Sequence, residues 1–162
     1  MMKQIGSFAE IVDRVSKLDF DPPGYKRKAL LGIAQAALVF LSETESGLGA
    51  KPVVIDLKMK DGTAVSSIGI ASGERLVGKL ASGEIKDLEW TDFATDQLIE
   101  LHREFVKSPA SEMERLRCHE AAIAFEWLSV DRQRAVAAAG RLSEESVAFK
   151  ARWDSLASGL PK

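Results

Sequence analysis

Apolar residues recur along this chain at two different periods, and each change of period marks an element. Phe8, Ile11, Val12, Val15 and Leu18 follow at helical spacing. Ser7-Phe8-Ala9-Glu10 precedes them as a capping box, in which a hydroxyl and a carboxylate each satisfy an end amide. The DFDPPG run ends this helix, because proline cannot continue it and glycine permits the turn. Ala29, Leu30, Ile33, Ala36, Ala37, Phe40 and Leu41 then make a wide apolar face. That width predicts a central helix from about Tyr25 to about Ser42, packed on more than one neighbour. The polar SETESGLGAKP run reads as a loop.

The period then drops to two. VVIDLKMK and TAVSSIGI flank Asp61-Gly62 and predict a hairpin over 53–60 and 63–70, closed by a two-residue type I′ turn. In that register Lys60 faces Thr63, Met59 faces Ala64, Leu57 faces Ser66, Ile55 faces Ile68 and Val53 faces Ile70. One face is then apolar apart from Ser66, and a slip of one residue would mix the faces. A lone hairpin is marginal in water, so its apolar face is expected to cover helices.

SGERLVGKLASG reads as a short helix closed by Gly83, and EIKDLEW as a third strand with Leu88 and Trp90 on one face. Thr91 is placed to cap a helix from about Asp92 to Lys107, which Ser108-Pro109 breaks. Another helix runs from about Ser111 to Leu128. Ser129 and Ser143 are positioned as caps for two more, with Gly140 and Gly159 as stops. The expected fold is α+β and mainly helical, with a small antiparallel sheet built on the hairpin, then C-terminal helical hairpins, in a single domain over 1–162.

Composition narrows the setting. The 162 residues are 46% hydrophobic and 28% charged, ordinary for a globular domain, and the net charge of −2 gives no global pull toward nucleic acid or an anionic membrane. No apolar run approaches the roughly eighteen residues of a membrane span. The amphipathic start lacks the apolar core of a signal peptide. One cysteine permits no intramolecular disulfide and fits a reducing, cytoplasmic compartment.

The reactive-looking letters gather in RLRCHEAAIAFEW, residues 115–127. A zinc-protease helix needs a second histidine four residues after His119, and position 123 is isoleucine. Cys118 and His119 diverge by ~100° on a helix, so they do not chelate one ion. Neither a metal nor a cofactor is expected, since His102 adds only a third borderline ligand where structural zinc takes four. Cys118 reads as a small packed residue.

Face analysis singles out two other residues. His102 falls among Leu98, Ile99, Leu101, Phe105 and Val106. Glu120 falls inside the arc of Met113, Leu116, Ile123, Ala124, Trp127 and Leu128, with His119 at its edge and Cys118 outside. A hairpin at Ser108-Pro109 would offset His102 and Glu120 by only ~6 Å of rise. They are therefore expected as neighbours. The pair would either fix helix packing or serve as the general acid/base couple of a small enzyme, with or without a metal.

One segment departs from the mixed charge pattern. Glu84, Asp87, Glu89, Asp92, Asp96 and Glu100 stand against a single Lys86, and Asp92, Asp96 and Glu100 share a helix stripe. The plain reading is a solvated face near a helix N-terminus. The functional reading is a docking surface of Asp87, Glu89, Trp90, Asp92, Phe93, Asp96 and Glu100, with Trp90 or Phe93 as its anchor. It would suit another protein that has a basic groove. The leading expectation is thus a non-catalytic protein-binding or regulatory module of inhibitor or adaptor type. The enzyme built on His102 and Glu120 is the alternative. Direct nucleic-acid binding through YKRKA or through Arg132, Arg134 and Arg141 is a further one, weakened because acids balance each cluster.

Overall fold

The computed structural model describes residues 9–10, 12–18, 25–71, 75–106, 111–129 and 132–160. The expected Ser7 capping box, the DFDPPG turn and the Ser108-Pro109 break fall largely or wholly outside these residues. The fold is α+β and mainly helical, with one antiparallel sheet and C-terminal helices packed as hairpins. Its contacts form two compact units, one over Leu41–Ser108 and the other over Met2–Phe40 with Pro109–Lys162. The long helix α1 (Tyr25–Ala50) supplies residues to both.

In the first unit α1 continues through SETESGLGA, where a loop was expected. Two glycines cost a helix about 1 kcal/mol each. Burial outweighs that cost: Thr44 and Leu48 are enclosed, and the ring of Phe105 occupies the space a Gly47 side chain would need.

The sheet is a meander of β1 (Val53–Lys58), β2 (Ala64–Ala71), β3 (Arg75–Leu80) and β4 (Ile85–Asp87), with neighbours in chain order. The RLVGKL run is a strand and not the expected helix. Its inward positions are Leu76, Gly78 and Leu80, a period of two that the glycine disguises in sequence. Gly78 is bare for a reason, because a side chain there would collide with Leu88 and press on Val65.

Both tight hairpin loops have three residues. Met59 N donates to Thr63 O and Gly62 N to Met59 O, each at 2.9 Å, with Gly62 at φ +88°. Leu80 N donates to Glu84 O at 2.8 Å and Gly83 N to Leu80 O at 2.9 Å, with Gly83 at φ +92°. This is a type I turn followed by a left-handed glycine, and it replaces the expected type I′ turn. The register moves accordingly: Val53 pairs with Ile68, Val54 with Ser67, Leu57 with Val65 and Lys58 with Ala64, with an irregularity between Val54 and Leu57. A second irregularity lies between Val65 and Ser67. On a regular strand Val65 and Ile68 would face opposite sides. The irregularities turn both inward, and both are buried.

After β4 the chain crosses to the other border of the sheet. Leu88 and Trp90 are buried, Trp90–Asp92 forms a 3₁₀ turn, and Phe93 bridges Met59 beyond β1. Helix α2 (Thr95–Phe105) then begins behind Ala94 and not behind Thr91.

The second unit joins residues 25–40 of α1 to α3 (Glu112–Leu128), α4 (Arg132–Glu145) and α5 (Val147–Ala157). Its core holds Ile33, Ile123, Ala124, Trp127, Ala135, Ala139, Leu142, Phe149 and Trp153. Phe40 stacks on Phe125 with ring centroids 4.2 Å apart. Gly159 follows the end of α5 (Val147–Ala157) as expected, while the other expected stop and the caps shift by a few residues. Ser129 closes α3, and α4 runs on through Gly140 and Ser143. Ser146 caps α5, its hydroxyl accepting from Phe149 N at 3.2 Å. Ser143 bonds back to the Ala139 carbonyl at 2.7 Å instead of capping.

Two glycines should respond in opposite ways. Gly78→Ala is expected to lower stability by about 1–3 kcal/mol through overpacking against Leu88. Gly140→Ala, in an exposed helical position with open space around it, should raise it by about 0.5–1 kcal/mol. Urea titrations of both variants check this, and a neutral Gly78→Ala would refute the close packing.

The Asp61 carboxylate accepts from Thr63 N at 2.8 Å, and this backbone bond, with help from the Thr63 side chain, holds its pKa below the usual carboxylate value. A depressed folded pKa adds stability above the unfolded value near 3.8, and that stability is lost as pH falls through the folded value. Asp61→Asn should therefore lower stability at neutral and alkaline pH and flatten the acid limb, with no new slope above neutral, in urea titrations run across pH.

Candidate functional site

His102 lies on the buried face of α2, as its position among Leu98, Ile99 and Leu101 predicts, and is only 1% exposed. Its Nε2 meets Glu43 Oε2 at 3.0 Å. Glu43 stands on the stretch of α1 that was expected to be a loop, which is why sequence reasoning chose the wrong carboxylate. The contact joins α1 to α2 inside the first unit, beside the buried Thr44. A carboxylate and an imidazole enclosed together satisfy each other's hydrogen-bonding demand, and each would be costly alone.

Glu120 belongs to the second unit and is held by Arg152 of α5. The guanidinium contacts both carboxylate oxygens, the shortest at 2.9 Å. Hydrogen bonding to Glu120 raises the Arg152 pKa further above its already high value. His102 and Glu120 are therefore bound to Glu43 and Arg152, in place of the expected mutual pair.

The apolar arc assigned to α3 also shifts. Cys118, expected outside it, is buried, while Met113, expected inside it, is exposed. From Ala121 to Trp127 nearly every position is enclosed, since core partners lie on α1, α4 and α5 around this helix. One consequence escaped the sequence reading: Glu126 is buried and pairs with Arg134 Nε at 2.8 Å. The only hint was Arg134 eight residues on, across a helix break. Arg132 lies over the Trp127 ring at 4.6 Å. Two arginines of the C-terminal basic cluster are thus engaged with their own fold.

The acidic segment is dissected by its structure. Trp90 and Phe93, the expected anchors, are 4% and 2% exposed and belong to the core. Trp90 Nε1 is buried with no hydrogen-bond acceptor among the described residues. The Asp92 carboxylate accepts from Glu89 N at 2.8 Å, closing a capping box around the 3₁₀ turn. Asp92 thus precedes α2, so the single stripe expected for Asp92, Asp96 and Glu100 is broken after its first member. Asp96 is half-buried beside Gln97, and Glu100 is exposed and pairs with Arg103. Glu84, Asp87 and Glu89 are exposed along β4 and its flanks, with Asp87 reaching Arg75 at 2.9 Å.

Among the described residues, no group of three or more His, Cys, Asp and Glu side chains is arranged to hold a metal, and no helix is long and apolar enough to cross a membrane. What fold and site define together is a class: an α+β protein with a four-stranded antiparallel meander and C-terminal helical hairpins. Comparison with family models, curated proteins and solved structures returns no match.

Truncation separates the two carboxylate contacts. His102→Ala should cost roughly 1–3 kcal/mol, because it leaves a half-enclosed carboxylate short of a partner. Combining it with Glu43→Leu should recover part of the loss in a double-mutant cycle. Arg152→Ala should cost less than about 1 kcal/mol, since that pair is half in solvent. A His102→Ala variant no less stable than Arg152→Ala would contradict the assignment of His102 to the core.

Proposed function

We propose that this chain is a non-catalytic protein-binding module whose acidic surface within residues 84–100 captures a basic partner, in the manner of an inhibitor or adaptor. One observation supports this reading above the others: Glu84, Asp87 and Glu89 present exposed carboxylates together at one border of the sheet. Trp90 and Phe93 lie beneath as part of the platform, so recognition depends on charge more than on an aromatic anchor. Contacts of that kind steer encounter and weaken as salt rises. A reducing, cytoplasmic setting suits a chain whose one cysteine is buried. The enzyme reading has less behind it, because His102 is enclosed with Glu43 and Glu120 is clamped by Arg152.

Selection of random displayed peptides on the purified chain tests the proposal. Enriched sequences should be rich in Lys and Arg. Their binding should weaken at least about tenfold between dilute and near-molar salt, as the Debye length shrinks from roughly 30 Å to 3 Å. The combined variant E84K/D87K/E89K should lose it. Enrichment without charge bias, or binding indifferent to that variant, would sink the reading.

A further inference from the structure

The direction of the backbone groups along β4 follows from its pairing. Val77 faces Asp87, Gly78 faces Lys86 and Lys79 faces Ile85. The bonds from Leu80 N to Glu84 O and from Leu88 N to Leu76 O identify two hydrogen-bonded pairs of this ladder. Bonded and non-bonded pairs alternate between antiparallel strands. Lys86 therefore shares its backbone groups with Gly78, while the N–H and C=O of Ile85 and Asp87 point away from β3. No strand among the described residues pairs with that side. The next outward amide, Glu89 N, is closed off by the Asp92 carboxylate. Ile85 and Asp87 thus form a short, bounded open edge.

The opposite edge is treated differently. On β1 the outward amide of Lys58 donates to Gln97 Oε1 at 2.8 Å, and just beyond it Lys60 N donates to Asp92 O at 2.7 Å. The fold closes the C-terminal end of that border with its own segment and leaves the β4 border open. Edges that resist pairing are kept short, covered, twisted away or charged, and β4 is short with Lys86 and Asp87 on it. Here Ile85 is apolar and 74% exposed, in register through Lys79 and Ser67 with the exposed Val54 on β1.

We infer that the partner binds as an extended segment that adds to the outer edge of β4 as a fifth, antiparallel strand. The inference rests on the protein-binding reading above and specifies its chemistry. In an added antiparallel strand, the residue opposite Ile85 shares its face and is apolar. The residue two positions earlier lies opposite Asp87 and is basic, and the residue one position later lies opposite Glu84 and is basic. The recognised pattern from N- to C-terminus is basic, any, apolar, basic. Antiparallel self-pairing of two copies about Ile85 would set Glu84 opposite Lys86 but leave Asp87 opposite Gly83, whereas a basic segment meets both carboxylates.

A synthetic twelve-residue peptide centred on Arg-Thr-Ile-Arg tests this against the full chain. Bound peptide should slow hydrogen exchange at the Ile85 and Asp87 amides at least about tenfold and leave Lys86, already in the ladder, unchanged. N-methylation of the peptide isoleucine should weaken binding at least about tenfold, whereas N-methylation of the threonine should not. Ile85→Pro removes an outward amide only, a position where proline is tolerated, so it should fold and lose the peptide. Binding that leaves exchange at Ile85 and Asp87 unchanged, or that tolerates both N-methyl groups, overturns strand addition while the acidic docking surface stands. Failure of this peptide and of every Lys- and Arg-rich peptide overturns both. Concentration-dependent self-association that protects Ile85 and Asp87 without peptide overturns the basic partner in favour of a second copy.

Discussion

Leu88 lies against the bare backbone of Gly78, and the course of the whole 84–100 segment depends on that contact. A four-stranded meander has one face that must leave water, and residues 88–93 supply part of its cover by crossing from the β4 border to β1. Leu88 begins that path, Trp90 continues it and Phe93 completes it at Met59. A side chain at position 78 would hold Leu88 off the sheet and disturb everything after it. The same crossing explains why the two edges differ. The chain that arrives at β1 closes its C-terminal end through Asp92 and Gln97, and the β4 it left behind has nothing further to cover it among the described residues.

Burial also decides what the charged groups are for. His102 with Glu43 and Glu126 with Arg134 each place a polar contact between helices of one unit, where apolar packing alone would permit small rotations. Such pairs add direction more than net stability, because desolvation offsets most of their attraction. Carboxylates that fold into such contacts are removed from the set available to a partner. Glu120, Glu43, Glu126 and Asp92 are committed in this way. Glu84, Asp87 and Glu89 stay in solvent, where the contacts of Asp87 with Arg75 and of Glu89 within the capping box are weakly held, and the proposed interface is drawn from them.

Much of the architecture was legible because it rests on short-range patterns. The period-two runs around Asp61-Gly62 marked a hairpin, Ser111 marked the start of α3, and Leu98, Ile99, Leu101 and His102 marked the buried face of α2. Errors arose where a residue's role is set by something distant. Gly78 reads as a weak helix position unless Leu88 is known to rest on it. Gly47 and Gly49 read as loop until Phe105 and the buried Leu48 are placed. Cys118 fell outside a helical arc drawn for one buried face, whereas core partners surround α3.

The sequence by itself determined which segments are apolar on one side, where most turns fall, and that residues 84–100 carry excess negative charge. These follow from local chemistry: side-chain periodicity, glycine at positive φ, and the count of carboxylates. Only the tertiary structure decided that Trp90 and Phe93 point inward, that His102 meets Glu43, and that β4 ends the sheet with two residues facing outward. Those outcomes depend on contacts between positions far apart in the chain. The register that orients Ile85 and Asp87 depends on the three-residue loop before Glu84. That of β1 on β2 depends on a like loop, and the letters around Asp61-Gly62 are equally compatible with the shorter turn.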